Sequence, residues 1–233
     1  EIQSLTSHSG AAPVHIHIAE QSKEVADCIA HTGLRPVEWL LANANLDKRW
    51  NLVHATHTSV SEIQGIQAQQ ASVVICPTTE ANLGDGFFDL PEALRQSLSC
   101  SIGTDSHVNR NWTEELRLLE YGARLSLRKR NVALLHKNGH GSTGQVLFEH
   151  ALQGGSQAAG LPLAGISLGQ RADLLEIDLE SDSLLGVPSA RLMDALIFST
   201  PSNNFKSVFV AGQKIDYNSA EWKADFVKTM TEL

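Results

Sequence analysis

The chain has 233 residues, of which 42% are hydrophobic and 19% are charged, a composition typical of a folded globular protein. Acidic residues outnumber basic ones 26 to 18, and the resulting net charge of −8 argues against a general nucleic-acid-binding surface. No run of about 18 apolar residues occurs, and the first residues lack the basic and apolar regions of a secretory signal, so we expect a cytoplasmic protein without a membrane span. The three cysteines Cys28, Cys76 and Cys100 show no CxxC spacing, and we expect free thiols.

The first part of the chain alternates short apolar runs with longer amphipathic stretches. We predict a helix over 21–45 with a break near Gly33 and Pro36, and a second over 59–70 that opens with a capping box of Ser59 and Glu62. The pattern also predicts a loop over 80–89 and helices over 90–98 and 113–135, the last with Thr113 as its N-cap. The predicted strands are residues 14–19, 51–56, 72–77 and 99–105. Strands that alternate with helices indicate an α/β fold with a parallel sheet.

The remainder of the chain has a different pattern. Residues 143–160 are predicted to be helical, residues 169–178 form a turn that leads into a strand, and residues 208–215 form a hairpin with Gly212 at its centre. We therefore expect three segments: an α/β unit over 1–160, part of a small β domain with a connecting helix over 161–218, and a C-terminal helix or tail over 219–233.

Residues that can bind a metal or transfer a proton follow three of the four predicted strands. His17 and Glu20 end the first strand, His54 lies in the second and Asp105 ends the fourth. The carboxyl ends of parallel strands meet at one edge of a sheet or barrel, so these side chains are expected to converge. Two imidazoles and a carboxylate suit Zn²⁺, and a neighbouring glutamate that does not bind the metal can transfer protons. Each residue taken singly is also compatible with a structural hydrogen bond, a cap or an ion pair.

The spacing of these residues bears on the architecture. The stretch from His17 to Asp105 holds only three further strand starts, whereas a closed (β/α)₈ barrel needs about 250 residues. The segment therefore has the length of four of the eight strand–helix units of such a barrel, and we expect it to be the last four.

These motifs resemble the deaminase branch of the amidohydrolase superfamily. The resemblance rests on His17-Ile18-Ala19-Glu20, on Leu52-Val53-His54-Ala55, on Cys76-Pro77 and on Gly103-Thr104-Asp105-Ser106, which match the fifth to eighth strands of that fold. Gly139-His140-Gly141-Ser142 also fits. The resemblance implies the second half, strands 5–8, of a (β/α)₈ metal-dependent hydrolase barrel, followed by the C-terminal part of a small β-sandwich domain.

Within that branch the chain is more similar to the deiminases that hydrolyse N-formimino-L-glutamate in histidine degradation. The distinguishing stretches are residues 14–21 and 76–86, where Thr79-Glu80 replaces the Ser-Asn pair usual in the other deaminases. The resemblance implies one Zn²⁺, or another divalent ion, held by His17 and Asp105 together with an HxH pair on the first barrel strand. It further implies that Asp105 accepts a proton from water, that Glu20 protonates the substrate nitrogen, and that His54 hydrogen-bonds the water or the reacting centre.

The residues that would contact the small acidic substrate are harder to choose. His15 shares a strand face with His17 and either lines the pocket or packs structurally. Glu80 and Asn82, in the predicted loop after the third strand, either touch substrate or are solvated. Arg110 follows the fourth strand and is the one candidate here for a carboxylate clamp.

The resemblance also implies what lies outside this sequence. The HxH pair, four strands and half of the small β domain would belong to an N-terminal half that is needed to complete the barrel. Without it, the open sheet edges and uncovered apolar face should make residues 1–233 aggregate or remain molten. The family's barrels commonly pair, which implies a homodimer.

Two other functions are compatible with these residues. One is an amidohydrolase that deaminates a purine or a related heterocycle, for which a flat apolar pocket would be expected in place of paired guanidinium groups. The other is a metal-free relative that serves as a scaffold, but such a protein should have lost metal ligands that are present here.

Overall fold

The computed structural model describes residues 10–137, 141–163, 165–200, 204–215 and 220–232. Gly139 and His140 of the glycine-histidine motif lie outside these ranges, as do residues 216–219 at the predicted boundary 218/219. The division of the chain at 160/161 and 218/219 stays a prediction.

A four-stranded parallel sheet forms the centre of the molecule. Its strands are β1 (Val14–Ile18), β2 (Trp50–His54), β3 (Ser72–Ile75) and β4 (Ser99–Ile102), and they are hydrogen-bonded in chain order, which confirms the predicted α/β class with a parallel sheet. Ile18 pairs with His54, and Ile75 pairs with Ile102. Because the strands are in register at these positions, their carboxyl ends meet at one edge of the sheet.

Helices connect the strands in the predicted alternation. Between β1 and β2 lie α1 (Ser22–Thr32) and α2 (Pro36–Asn43), with the break that Gly33 and Pro36 predicted. Gly33 ends α1 in a left-handed conformation at φ +79°, which glycine adopts without steric cost. Helix α3 (Val60–Ala68) begins with the predicted capping box, in which the Ser59 side chain accepts from the Glu62 N–H.

Three predicted segments differ from the structure. The loop predicted over 80–89 is partly helical, because α4 (Pro77–Leu83) begins directly after β3, with Pro77 in its first turn, and continues to a left-handed Gly84. The next helix, α5, spans Leu90–Arg95 and ends before residue 98, where the sequence predicted its end.

The long helix predicted over 113–135 is shorter than expected. Helix α6 spans Trp112–Leu127, and its N-cap is Asn111 rather than Thr113. The chain then turns back and forms a 3₁₀ turn (Val132–Lys137), because the buried Glu120 carboxylate accepts hydrogen bonds from the backbone N–H groups of Val132 at 2.7 Å and Ala133 at 3.0 Å. Helix α7 spans Thr143–Ala159, as predicted.

The apolar core lies between the sheet and these helices. It contains the inward side chains of the strands, including Trp50, Leu52, Val73 and Ile75, together with helix residues such as Ile63. Close-packed burial of such side chains is the main stabilising contribution to a domain of this kind. The three cysteines are free thiols, as predicted.

A second, antiparallel sheet follows in the chain. It consists of β5 (Leu174–Ile177), β6 (Phe205–Val210) and β7 (Gln213–Ile215), and the last two form the predicted hairpin around Gly212. A 3₁₀ turn (Ser189–Arg191) and helix α8 (Leu192–Phe198) lie between β5 and β6, and helix α9 spans Ala220–Glu232.

None of the helices in the part of the chain that the structure describes combines the length and the apolar character that are needed to span a bilayer.

Candidate active site

Four polar side chains meet at the carboxyl edge of the parallel sheet. His17 Nε2 lies 3.6 Å from Asp105 Oδ1. His54 Nε2 lies 3.6 Å from Glu20 Oε1 and 3.9 Å from Asp105 Oδ2. The rings of His17 and His54 are tilted against each other with their centroids 5.3 Å apart. The residues that the sequence placed on three separate strand ends therefore form one cluster.

The backbone leaves the strands in a strained conformation at these positions. His54 has φ +68° and Asp105 has φ +43°, and Ala19, directly before Glu20, has φ +52°. Left-handed backbone at residues other than glycine costs about 1–3 kcal/mol each and persists only where surrounding contacts enforce it. Hydrogen bonds between the strand ends do so here: the Ala55 N–H donates to the Ile18 carbonyl at 3.1 Å.

The loop that carries Asp105 is held by the side chain of Thr79, a fully buried residue of α4. The Thr79 hydroxyl lies 3.2 Å from the Thr104 carbonyl oxygen and 2.9 Å from Ser106 Oγ, and it accepts from the Ser106 N–H at 3.3 Å. The residues on both sides of Asp105 are thus bonded to one hydroxyl, which restrains the carboxylate between them.

His54 is held in a similar way by Glu80, the next residue of α4. Glu80 is 3% exposed, and its Oε1 lies 3.2 Å from His54 Nδ1 and accepts from the Cys76 N–H at 2.8 Å. The sequence pattern did not reveal this contact, because residue 80 was expected to lie in a loop. Pro77 followed three residues later by a glutamate is a helix-start pattern that could have identified it.

Burial and charge shift the proton affinities of the cluster. Burial, the largest effect, raises the pKa of Glu20, and the neighbouring Asp85 and Asp105 raise it further against the opposing effect of His54. Burial alone would lower the pKa of His54, but the hydrogen bond to Glu80 and the charges of Glu20, Glu80 and Asp105 outweigh it and raise that pKa.

The donor set fits a divalent metal ion. One ligand atom each from His17, His54 and Asp105 lie within 4.8 Å of one another. His54 Nε2 is buried without a hydrogen-bond partner and is directed at this group. Two imidazole nitrogens and a carboxylate oxygen are donors that Zn²⁺ accepts. A buried group of His54, Cys76 and Glu80 is equally compact but less suitable, because burial raises the pKa of the Cys76 thiol and His54 Nδ1 already bonds Glu80.

The structure separates the four residues predicted to bind substrate. The ring of His15 is bonded to the Ala158 carbonyl of α7 at 3.0 Å, which favours its structural role. Glu80 is buried and helical rather than in an exposed loop, so its expected contact with substrate is replaced by the contact with His54. Asn82 lies exposed in α4, and Arg110 lies exposed in the loop between β4 and α6.

Residues 2–215 match the model of the amidohydrolase family. The chain is 44% identical over 201 residues to a protein of Pseudomonas aeruginosa named formimidoylglutamate deiminase, covering 86% of this chain and 44% of that protein. It is 29% identical over 205 residues to a 5-methylthioadenosine/S-adenosylhomocysteine deaminase of Pyrococcus furiosus, with coverages of 86% and 46%.

Solved structures of deaminases and related amidohydrolases are also similar to this chain. An amidohydrolase from Brucella melitensis is 40% identical with a TM-score of 0.91, and the match covers all of this chain and 52% of that one. An adenosine deaminase from Xanthomonas campestris, described as having bound zinc, is 25% identical with a TM-score of 0.84, over 98% of this chain and 52% of that one. The chain thus spans about half the length of the relatives that it matches.

Proposed function

Because the chain belongs to the amidohydrolase family, we propose that it forms part of a metal-dependent hydrolase that releases ammonia from N-formimino-L-glutamate. The observation that carries the proposal is the convergence of His17, Glu20, His54 and Asp105 at one edge of the sheet, in a chain 44% identical to a formimidoylglutamate deiminase. The product would be N-formyl-L-glutamate, and the step would belong to histidine degradation.

The chain corresponds in this proposal to strands 5–8 of a (β/α)₈ barrel over residues 1–160. β1 and β4 are the outer strands of the described parallel sheet, and each has one edge open to a further strand. Relatives of about twice the length are consistent with a preceding half that pairs with both edges. Residues 161–218 would then be part of a small β domain, and residues 219–233 a C-terminal helix.

A divalent ion would be held by His17 and Asp105, with two further imidazoles from the preceding half. When bound, Zn²⁺ or a similar ion lowers the pKa of a water molecule toward about 7. His54 is a third candidate ligand on distance, but its Nε2 also lies between Glu20 and Asp105, where it can hydrogen-bond the attacking water. We assign it that second role.

The remaining steps are proton transfers by residues of this chain. As the water oxygen bonds to the formimino carbon, Asp105 accepts the proton that the water loses. Glu20 supplies a proton to the imino nitrogen, which its raised pKa favours because the carboxyl group stays protonated to higher pH. Glu20 then takes the proton of the new hydroxyl group and transfers it to that nitrogen, so the carbon–nitrogen bond breaks, ammonia leaves and the carbonyl of the formyl group forms. The proton held by Asp105 returns to Glu20 through solvent, which restores both carboxyl groups.

The acidic substrate also requires cationic partners. Arg110 is exposed near the carboxyl end of β4 and is our candidate for binding one carboxylate, with Asn82 as a candidate polar contact on α4. Further clamps would lie in the preceding half. We also propose a cytoplasmic homodimer, which cell fractionation and light scattering would test.

The test is ammonia release by the natural full-length protein loaded with Zn²⁺. Formation of ammonia and N-formyl-L-glutamate from N-formimino-L-glutamate, with kcat/KM at least 100-fold above that for 5′-methylthioadenosine, would support the proposal. The reverse preference would instead support a purine deaminase, the function that the 5-methylthioadenosine/S-adenosylhomocysteine deaminase relatives suggest. If the metal-loaded protein turned over neither amidines nor heterocycles, a non-catalytic relative would be the remaining hypothesis.

A further inference from the structure

We propose that Glu80 is a positioning residue that fixes the tautomer of His54, holding the proton on Nδ1 and leaving the lone pair of Nε2 facing the candidate metal cluster. The role of Glu80 rests on the proposed function only where it predicts an effect on turnover. The hydrogen-bond geometry that defines the tautomer is independent of the substrate.

The direction of the hydrogen bond follows from what Glu80 Oε1 already accepts. The Cys76 N–H donates to Glu80 Oε1 at 2.8 Å, so this oxygen acts as an acceptor. We therefore assign His54 Nδ1, 3.2 Å from the same oxygen, as a second donor to it. In its neutral form the imidazole carries a single N–H, so the proton on Nδ1 then leaves Nε2 as an acceptor.

The surroundings of Nε2 agree with this assignment. The atom is buried, makes no hydrogen bond within the described residues, and lies 3.6 Å from Glu20 Oε1 and 3.9 Å from Asp105 Oδ2. With the opposite tautomer, Nδ1 and Glu80 Oε1 would be two acceptors facing each other in a buried space. The buried mismatch would destabilise that tautomer strongly.

Glu80 is itself held in place by the start of α4. Cys76 is the N-cap of this helix and Glu80 lies in its first turn, so the bond from the Cys76 N–H to the carboxylate is a helix-start contact. The carboxylate thus joins the beginning of α4 to the end of β2. Because it is 3% exposed, it can act on substrate only through His54.

The test combines nitrogen NMR of the imidazoles with kinetics in the natural full-length, Zn²⁺-loaded protein labelled with ¹⁵N-histidine. The His54 signals are assigned by their loss in His54→Gln. Glu80→Leu keeps the approximate size of the side chain but removes both oxygen acceptors, so nothing holds the proton on Nδ1. Glu115→Gln is the matched control: Glu115 is buried and bonds to the same helix at Thr78, and among the described residues it forms no hydrogen bond or ion pair with His54.

At a pH where His54 is neutral, we expect a protonated Nδ1 and an unprotonated Nε2 in the wild type and in Glu115→Gln, and a mixture or the opposite tautomer in Glu80→Leu. Since partners of this kind typically contribute 10–100-fold, kcat should fall by that factor in Glu80→Leu while KM changes less than about threefold. A proton on Nε2 of the neutral wild-type ring, or an unchanged tautomer in folded Glu80→Leu, would overturn the proposal. Failure of the protein to release ammonia would refute the proposed function and leave the NMR result to decide the tautomer.

Discussion

Replacing Thr79 by valine should weaken metal binding although Thr79 is not a candidate ligand. The substitution keeps the branched shape of a fully buried side chain and removes only its hydroxyl. That hydroxyl donates a hydrogen bond to the Thr104 carbonyl and accepts another from the Ser106 N–H, and it also lies 2.9 Å from Ser106 Oγ, where either hydroxyl can be the donor. Both bonds hold the loop in which Asp105 adopts φ +43°.

The expected magnitude follows from these contacts. Each of the two bonds contributes about 0.5–1.5 kcal/mol net, so their loss removes about 1–3 kcal/mol. The left-handed backbone at Asp105 stores a comparable free energy, about 1–3 kcal/mol, which favours relaxation of the loop once the hydroxyl is gone. Since 1.4 kcal/mol corresponds to a factor of ten, the affinity for Zn²⁺ should fall by about 10–100-fold.

The measurement is a chelator-competition titration of Zn²⁺ in the natural full-length protein, with Thr78→Val as the matched control. The Thr78 hydroxyl bonds to Glu115 Oε1 at 2.5 Å, and within the described part of the chain it forms no hydrogen bond with the Asp105 loop. Thr78→Val should therefore lower the free energy of unfolding but change the Zn²⁺ affinity less than about threefold. An unchanged affinity in Thr79→Val, or an equal loss in both variants, would refute the reasoning.

Three further predictions concern turnover, packing and acid stability of the same full-length protein. Glu20→Gln should lower kcat by about 10²–10⁴-fold with the metal content unchanged by elemental analysis; full activity would remove Glu20 from the mechanism. In α7, a Cβ on Gly154 would clash with the Cys100 carbonyl of β4, whereas a Cβ on Gly155 would meet nothing within 4 Å. In urea unfolding, Gly154→Ala should therefore lower the free energy of unfolding by about 1–3 kcal/mol, and Gly155→Ala should raise it by about 0.5–1 kcal/mol. Equal effects would contradict this packing. Burial raises the pKa of Glu62, but the hydrogen bonds from Arg35 and from the start of α3 lower it more, so the net pKa lies below the usual 4.5. The ionised carboxylate therefore contributes stability that is fully present above pH 4.5 and is lost as the pH falls through the lowered pKa. The free energy of unfolding of Glu62→Gln in urea should therefore fall less steeply below pH 4.5, and an identical acid profile would disprove the linkage.

The elements that could be predicted from the sequence are those whose signals are local. Four short, mainly apolar or β-branched runs predicted the parallel strands, Gly33 and Pro36 marked a helix break, and the Ser59 capping box marked a helix start. Each of these signals depends on residues within one turn or one strand. The clustering of His17, Glu20, His54 and Asp105 followed from one further premise, that parallel strands share an edge.

What could not be predicted depends on contacts between distant residues. Helix α6 looked longer than it is because its sequence stays compatible with a helix past residue 127. The hydrogen bonds that the Glu120 carboxylate accepts from the Val132 and Ala133 N–H groups hold the chain where it turns back. The helical state of Glu80 was missed because glycine-rich sequence after Leu83 suggested a loop that began too early. The left-handed backbone at His54 and Asp105 has no sequence signal either, since tertiary hydrogen bonds impose it.

The role of α4 follows from helix geometry. Successive residues of an α-helix point about 100° apart, so three consecutive side chains can address three different neighbours. Thr78 bonds to Glu115 of α6, Thr79 bonds to the loop around Asp105, and Glu80 bonds to His54 at the end of β2. A helix of seven residues has little stability alone, so these same bonds hold α4 in place while α4 holds the site. The geometry of the cluster therefore depends on the side chains of Thr79 and Glu80 in α4 as well as on the strands that carry its residues.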